Sequence, residues 1–228
     1  MDEAVVEQRR RAAREASALI EDGMLVGLGS GSTLELFVKE FLKGKRVELI
    51  AASRATQLLV HSLGLRCYYL ESPGSPEVTF DGADRADPVL NLVKGGGAAL
   101  LGEKLLAKRS KKYVVMIDAK KFVPRLFGDF PLPVEIEPIS FPYVIATLGD
   151  MGLKWKLRAG TGKNGPVVTD NGNWIVDVDL SGYQGDPLSI ARELKSLTGV
   201  VETGLFEGLV DELVIGHDEG VTVIRSAK

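Results

Sequence analysis

Hydrophobic and polar positions alternate along the first half of the chain in a way that predicts strands and helices in turn. Buried-strand patterns occur at MLVGLG, VELIAAS, RCYYLES, EVTF and KKYVVMIDAKKF, and helical periodicity occurs at residues 3–21, LELFVKEFLKG, RATQLLVHSLG and AALLGEKLLAKRS. Such alternation indicates right-handed β-α-β units and a parallel sheet. The sequence therefore predicts an α/β fold, with an open, mostly parallel, Rossmann-like sheet and helices on both faces.

The pattern changes near Gly128, where prolines and more widely spaced elements begin. A helix is predicted at PYVIATLGDMG, antiparallel strands at WKLRAG and PVVTDNGNWIVDVDL with a turn at Asn171-Gly172, and an amphipathic helix at PLSIARELKSLTG. The tail LVDELVIGHDEGVTVIRS predicts two more strands. We expect residues 1–127 and 204–228 to form an α/β catalytic core, and residues 128–203 to form a smaller inserted α+β domain.

Composition and charge argue against several classes of partner and site. A net charge of −3 leaves no basic surplus to neutralise phosphates, so nucleic acid is not an expected partner. The lone Cys67 cannot form an intrachain disulfide or a cysteine metal cluster, and His61 and His217 lack metal-ligand spacing. The N-terminal segment is highly charged and lacks the apolar core of a signal peptide. No apolar run approaches the ~20 residues of a membrane helix. We expect a cytoplasmic protein without a membrane partner.

Three polar, glycine-rich loops follow predicted strands, where α/β sheets bind their ligands. The first loop is GLGSGST, residues 27–33. Its amides at a helix start and the hydroxyls of Ser30, Ser32 and Thr33 suit a phosphate, although a tight turn that merely needs glycine is the simpler alternative. Ser32 replaces the third glycine of a dinucleotide fingerprint, and neither Gly-Lys pair precedes Ser or Thr as in a Walker loop, so nucleotide binding is not expected.

The second loop is DGADRAD, which places three aspartates within seven residues, 81–87. Like charges this close repel, and a buried carboxylate without a partner is costly. Gly82 and Ala83 keep the turn slim, so that Asp81 and Asp84 can point together into a cleft. The alternative is a solvated turn whose aspartates cap a helix.

The third loop is VKGGGAALLGEK. Three consecutive glycines, Gly95–Gly97, lose much conformational entropy on folding, and they present bare amides at a helix start where an oxyanion could bind. Lys94 stands just before them. Glu103 shares a helix face with the small side chains of Ala99 and Ala107, which leaves room beside its carboxylate. An ordinary helix-surface role is the alternative for this glutamate.

Together and in this order, these loops resemble those of the type A ribose-5-phosphate isomerase family. The matching stretches are VGLGSGST, FDGADRAD, KGGGAALLGEK, IDAKKFV followed by FPLPVEIEP, PVVTDNGNWIVDV and TGVVETGLF, and the likeness runs from about Arg9 to the C-terminus. The resemblance implies a cofactor-free and metal-free enzyme that interconverts ribose 5-phosphate and ribulose 5-phosphate in the non-oxidative branch of the pentose phosphate pathway. It also implies a small phosphosugar partner and a homodimer or homotetramer.

The resemblance assigns roles to individual positions. Glu103 falls on the family's general base, Asp81, Asp84 and Lys94 on its catalytic polar residues, and Lys121 on a substrate-binding lysine. The substrate-binding segments of the family fall on Ser30, Gly31, Ser32 and Thr33, on Asp81, Gly82, Ala83 and Asp84, and on Lys94, Gly95, Gly96 and Gly97. Arg9 lies where relatives often carry a basic residue near the phosphate, which is a looser match.

Three positions depart from the family pattern: Arg85 replaces the usual glutamate, Gly102 replaces a larger residue, and Lys120 replaces a serine. None of them removes a proposed catalytic group. Gly102 is expected to loosen the helix that carries Glu103 by about 1 kcal/mol.

The chemistry of an aldose–ketose isomerase explains why these residue types occur together. A partly desolvated Glu103 would move a proton from C2 to C1 through an enediolate. Lys94 and the glycine amides would stabilise the negative oxygen of that intermediate, and Asp81 and Asp84 would shuttle hydroxyl protons.

Two other functions are weighed against this one. Acyl-coenzyme A transfer uses a glutamate nucleophile on similar scaffolds, but no coenzyme A site is recognisable here. A sugar-phosphate sensor domain would follow a helix-turn-helix segment, which does not precede Met24, and would not need Glu103.

Overall fold

The structure is a computed structural model, which describes residues 2–162 and 164–227. Its helices are α1 (Glu3–Ser17), α2 (Ser32–Phe41), α3 (Arg54–Ser62), α4 (Leu100–Arg109), α5 (Phe141–Asp150) and α6 (Pro187–Lys195). Its strands are β1 (Leu25–Leu28), β2 (Glu48–Ala51), β3 (Val78–Asp81), β4 (Arg85–Ala86), β5 (Leu92–Val93), β6 (Tyr113–Asp118), β7 (Leu132–Ile136), β8 (Lys154–Leu157), β9 (Trp174–Asp179), β10 (Val200–Thr203), β11 (Leu205–Phe206), β12 (Glu212–Gly216) and β13 (Val221–Arg225). Among the described helices, none is long and apolar enough to cross a membrane.

The main sheet has six strands in the order β13-β12-β6-β3-β1-β2. All neighbours are parallel except β13, which pairs antiparallel with β12 at one edge. The chain passes from β1 to β2 on one side and returns to β3 on the other side of β1. The strand order therefore reverses between β1 and β3, and the carboxyl ends of these two strands form the switch point at which α/β sheets bind ligands.

Helices cover both faces of this sheet, as the α/β prediction requires. Every residue of β6 is buried, and its side chains alternate between the two faces. Val114 and Met116 pack in the core that includes residues of α1, α2 and α3, whereas Val115 and Ile117 pack in the core that includes Ala107 of α4. The predicted fold class is confirmed.

A second, antiparallel sheet has the order β10-β7-β9-β8 and packs against α5 and α6 in its own hydrophobic core. Strand β7, one of its two interior strands, was not predicted, because the prolines of FPLPVEIEP argue against a strand. Pro133 has no N–H to donate to a neighbouring strand, but its carbonyl still accepts a hydrogen bond from Gly204 N at 2.7 Å. The core of this unit also contains Val93 and Leu205, so the exact division at residues 128 and 203 stays a prediction.

Three local predictions were wrong. Helix α1 ends at Ser17 rather than residue 21. Residues 66–72 form no strand, since only Tyr68 makes an isolated parallel bridge, to Ile50 at the outer edge of the sheet. The segment before the Asn171-Gly172 turn makes isolated bridges instead of a strand, although Gly172 does close the turn, with φ 83° and a hydrogen bond from its N–H to Thr169 O.

Candidate active site

The three polar loops meet in one cleft of about 210 Å³ at the switch point of the main sheet. Its wall is formed by Ser30, Gly31, Ser32, Thr33, Gly82, Ala83, Asp84, Lys94, Gly95, Gly96, Gly97, Glu103 and Lys121. Two of the predicted site residues are absent from this wall. Asp81 lies fully buried behind it, and Arg9 lies to one side.

Close approach of β1 and β3 positions the first two loops. Gly29 N donates to Phe80 O at 2.9 Å, which extends the pairing of the strands into the loops. A Cβ on Gly29 would lie 1.9 Å from Cγ of Asp81, so only glycine leaves space for this carboxylate. Gly29 in the first loop is therefore required by the position of Asp81 in the second loop.

The short hairpin of β4 and β5 joins the second loop to the third. Its antiparallel register places Asp84 next to Lys94, and Asp84 N donates to Val93 O at 2.9 Å. Gly96 N in turn donates to Asp84 Oδ2 at 2.8 Å. The predicted row of glycine amides is thus not wholly free, because one amide already holds the cleft-lining aspartate.

A buried cluster of charges lies at the base of the cleft. Lys94 Nζ is 3.0 Å from Asp81 Oδ1 and 3.2 Å from Glu103 Oε1, and it donates to Gly82 O at 2.5 Å. An ammonium group has three N–H donors, so these acceptors occupy all of them. This answers the electrostatic problem of the aspartate-rich loop, because a lysine neutralises part of its charge.

Asp81 accepts further hydrogen bonds from Tyr113 Oη at 2.9 Å, Gly82 N at 2.7 Å and Ser30 N at 3.2 Å. Together with the Lys94 contact, these bonds occupy both carboxylate oxygens. The geometry favours Asp81 as the group that fixes Lys94, and Asp84 as the carboxylate that can meet a ligand.

Burial raises the pKa of Glu103 to about 8, against the opposing effect of the Lys94 ammonium and with a further contribution from Asp81. Burial by itself would lower the pKa of Lys94, but the Asp81 and Glu103 carboxylates outweigh it and raise that pKa. A carboxylate whose pKa lies near neutrality, next to a permanent cation, has the properties of a general base.

The other end of the cleft is suited to an anion. Helix α2 begins at Ser32, and its N-cap Gly31 supplies no side-chain hydrogen bond to the first amides, which can therefore bind an anion. Thr33 Oγ1 is buried and has no hydrogen-bond partner. Lys121 Nζ donates to Ala83 O at 2.5 Å, and burial, with a contribution from Arg9, lowers the pKa of this lysine.

Arg9 contacts this end from outside. It donates to Ser32 Oγ at 3.0 Å and to Asp118 Oδ2 at 2.9 Å. The side chain thus supports the rim of the cleft through Ser32 instead of forming its wall.

Two of the departures from the family pattern lie away from the cleft wall. Arg85 makes a two-pronged ion pair with Asp129, and Lys120 is exposed 3.3 Å from Asp2. Their extra charges are therefore compensated locally.

The third departure, Gly102, has a packing reason. A Cβ at this position would lie 2.1 Å from the carbonyl oxygen of Ala52. Helix α4 approaches the loop after β2 so closely that only glycine fits, and this close packing helps to fix the helix that carries Glu103.

Sequence reasoning missed several residues that support the site. Tyr113 lies in a run of apolar strand residues and carries no local polar signal. Lys104, beside Lys108 on a helix, would be expected in water, yet it is buried and donates to Glu202 Oε1 at 2.9 Å and to Thr203 O at 2.6 Å. Arg158 contacts the glycine loop from the second sheet, and no local sequence pattern predicts this contact.

Within the described part of the chain, no group of three or more His, Cys, Asp or Glu side chains could hold a metal ion.

The sequence is similar to that of one known protein family. Residues 48–220 match the model of the family described as ribose 5-phosphate isomerase A (phosphoriboisomerase A). The chain belongs to this family. The protein is therefore an isomerase, which confirms the prediction of an enzyme. Acyl-coenzyme A transfer and a sensor role are not supported.

Relatives match over nearly their whole length. A ribose-5-phosphate isomerase A of Caulobacter vibrioides is 44% identical over 224 residues, covering 96% of this chain and 98% of the relative, and that of Pyrococcus abyssi is 37% identical over 227 residues, covering 97% and 99%. The solved structure of the Methanocaldococcus jannaschii enzyme has a TM-score of 0.89 at 34% identity, with 97% of this chain and 99% of that chain covered. A D-ribose-5-phosphate isomerase solved in complex with phospho-erythronic acid has a TM-score of 0.91 at 36% identity, with the same coverage.

Proposed function

We propose that this protein interconverts D-ribose 5-phosphate and D-ribulose 5-phosphate through an enediolate, with Glu103 as the general base. The observation that carries the proposal is the buried Glu103 carboxylate, 3.2 Å from Lys94 Nζ, in the wall of a cleft whose far end is suited to an anion. The relative in complex with phospho-erythronic acid, a phosphorylated sugar acid, supports a ligand of this class.

In the proposed reaction the phosphate binds at the start of α2, where the amides of its first turn, Thr33 Oγ1 and Lys121 can contact it. Binding of this remote group supplies the free energy that places the reacting carbons beside Glu103. The reacting end of the open-chain sugar then lies between Glu103, Asp84 and the glycine loop.

Glu103 takes the proton from C2 of the aldose and returns it to C1, while a proton moves from O2 to O1. Asp84 is the cleft-lining carboxylate that can carry the hydroxyl proton, and it is held by Gly96 N. Asp81 orients Lys94 through their 3.0 Å contact. As Glu103 takes up the proton its charge is lost, so the attraction of Lys94 turns to the enediolate oxygen, which becomes negative in the same step.

The reaction belongs to the non-oxidative branch of the pentose phosphate pathway, and we propose that the protein acts there in the cytoplasm without a cofactor. A homodimer or homotetramer stays a prediction.

The test is an assay of ribulose 5-phosphate formation from ribose 5-phosphate by the wild-type protein and by Glu103→Gln. We expect the variant to lose activity by roughly 100- to 10,000-fold, since general base catalysis contributes about that much, and still to bind the phosphosugar. Glu207→Gln, at a partly exposed ion pair with Arg192, serves as the control for a lost carboxylate.

Solvent deuterium distinguishes the two routes of hydrogen transfer. An enediolate exchanges its carbon-bound proton through the base, so some deuterium enters C1 of the ketose in D₂O, whereas a direct hydride shift carries none. Full turnover by Glu103→Gln with its fold intact would refute the base assignment, and deuterium at C1 of the product would exclude a direct hydride shift.

A further inference from the structure

The glycine loop is a wall of the cleft with few contacts of its own: within it, Ala98 N donates to Gly95 O at 3.0 Å. Gly95–Gly97 have no side chains to pack, and glycine has more accessible backbone conformations than any other residue. Gly95 has φ 108°, which is unfavourable for other residues, and Gly96 N must stay in place to hold Asp84. A contact from outside the loop restricts it further, most of all at Gly96, whose carbonyl takes no part in that turn.

Arg158, just beyond the end of β8, makes that contact. Its Nη1 donates to Gly95 O at 2.6 Å and to Gly96 O at 3.2 Å. On its other edge, Nε donates to Asp177 Oδ2 at 2.9 Å and Nη2 donates to Asp177 Oδ1. One guanidinium group thus joins the second sheet to two successive carbonyls of the glycine loop.

Arg158 is itself firmly held. Its N–H donates to Ile175 O at 2.9 Å, and its carbonyl accepts from Val167 N at 2.8 Å. Asp177 lies on β9, an interior strand of the second sheet, and the exposed fractions of the two side chains are only 16% and 17%. A planar guanidinium bound in this way to a carboxylate leaves little freedom to the loop that it contacts.

Because peptide units are rigid, the contact of Arg158 with the two carbonyls also fixes the N–H groups on the opposite side. Each peptide unit is planar and trans, so its N–H points opposite to its C=O. Holding the carbonyl of Gly95 fixes the N–H of Gly96, and holding the carbonyl of Gly96 fixes the N–H of Gly97. A cation at the carbonyl side also polarises each peptide and strengthens its N–H as a donor.

We propose that Arg158 is a positioning residue for the isomerase: it aims the Gly96 amide at Asp84 and the Gly97 amide at the reacting end of the sugar. The inference rests on the proposed function and deepens it, since it makes the second sheet a determinant of turnover. Arg158 is not part of the cleft wall, so it acts through the glycine loop and does not touch the substrate.

The test uses Arg158→Lys and Asp177→Asn in the full chain. Lysine keeps a cation beside Asp177, but its single nitrogen cannot bind both oxygens of Asp177 and also donate to the two carbonyls, as Arg158 does through separate nitrogens. Asparagine keeps the shape of Asp177 while weakening the anchor of Arg158. Arg192→Lys is the matched control, because Arg192 makes a comparable two-pronged ion pair, with Glu207, and lies outside the cleft wall.

We expect kcat of Arg158→Lys to fall about 10- to 100-fold, as small misplacements of catalytic groups do, with KM and inhibition by inorganic phosphate within about threefold of wild type. Asp177→Asn should show a smaller fall of the same kind. Amide hydrogen exchange at residues 95–98, followed by NMR, should become faster in both variants and stay unchanged in Arg192→Lys.

A kcat of Arg158→Lys within twofold of the control, or equal loss of kcat and of phosphate affinity, would overturn the inference. Unchanged exchange at residues 95–98 would overturn it as well, and this readout needs no turnover. Failure of the wild-type protein to isomerise ribose 5-phosphate would instead refute the proposed function, while the exchange measurement would still decide whether Arg158 fixes the loop.

Discussion

Lys94 Nζ lies 3.2 Å from Glu103 Oε1, and both side chains are almost fully shielded from solvent. The same ammonium group contacts Asp81, so one cation is shared by two carboxylates. Two negative charges around one positive charge in a buried place favour a proton on one of them. Glu103, the carboxylate in the cleft wall, is the one whose pKa is raised to about 8.

The first prediction concerns the pH profile of turnover. In the proposed mechanism only the ionised Glu103 can accept the C2 proton, so kcat/KM should rise with pH by up to about tenfold per unit and level off above about pH 8. The substrate phosphate titrates near pH 6, so the limb around pH 8 is the part that tests Glu103. Measurement of kcat/KM from pH 5.5 to 9.5 checks this, and a flat profile between pH 7 and 9 would contradict it.

The second prediction concerns stability. Because the folded pKa of Glu103 is raised from 4.5 to about 8, its contribution to folding is full below about pH 4.5 and is lost as pH rises towards 8. Gln is neutral throughout. Glu103→Gln should therefore match the wild-type Tm near pH 4 and exceed it by several degrees at pH 8–9, since 1 kcal/mol corresponds to about 2–4 °C at this chain length. A Tm difference that is independent of pH would exclude a buried ionisation.

The third prediction concerns Tyr113, whose hydroxyl donates to Asp81 Oδ2 at 2.9 Å. Tyr113→Phe should destabilise the protein by about 1.5–3 kcal/mol, because a buried hydrogen bond to a charged group is lost. We also expect a lower kcat, since Asp81 then holds Lys94 less firmly. Denaturant unfolding and steady-state kinetics measure both effects. Tyr143→Phe, at an exposed position, is the control and should change neither.

The fourth prediction concerns Thr33, whose buried Oγ1 has no partner. Thr33→Val should weaken inhibition by inorganic phosphate and raise KM, while stability stays the same or increases, because an unsatisfied hydroxyl is removed. Thr56→Val is the contrasting variant, since Thr56 Oγ1 donates to Gly29 O at 2.8 Å, and it should lose about 1 kcal/mol. A clear loss of stability in Thr33→Val would show that its hydroxyl does have a partner within the protein.

The fifth prediction concerns Gly102. Helix propensity alone favours Gly102→Ala by about 1 kcal/mol, but the new Cβ would lie 2.1 Å from Ala52 O. We expect net destabilisation by more than about 1 kcal/mol and reduced activity, because α4 must move. Gly149→Ala in α5 is the matched control, since nothing lies within 4 Å of its Cβ position, and it should be slightly stabilising. Equal effects of the two substitutions would contradict the packing argument.

Much of the fold follows from local patterns. The strong alternation of apolar strands with amphipathic helices predicted the main sheet, and the pattern after Gly128 predicted the change to antiparallel strands. The failures have physical causes: β7 contains Pro133 but is stabilised by two neighbouring strands, and residues 66–72 have strand-like side chains but lie outside the edge strand β2. Pairing between distant segments decided both cases.

The sequence by itself determined the residue types of the cleft and their order, because glycine, serine, aspartate and lysine at these spacings have few other uses together. Only the tertiary structure decided which of them face a ligand. Asp81 is buried behind the wall, where it contacts Lys94, and Gly96 N donates to Asp84. Arg158 contacts the glycine loop from the second sheet. Hydrogen bonds and charge pairs between remote segments depend on three-dimensional proximity, which side-chain periodicity does not record.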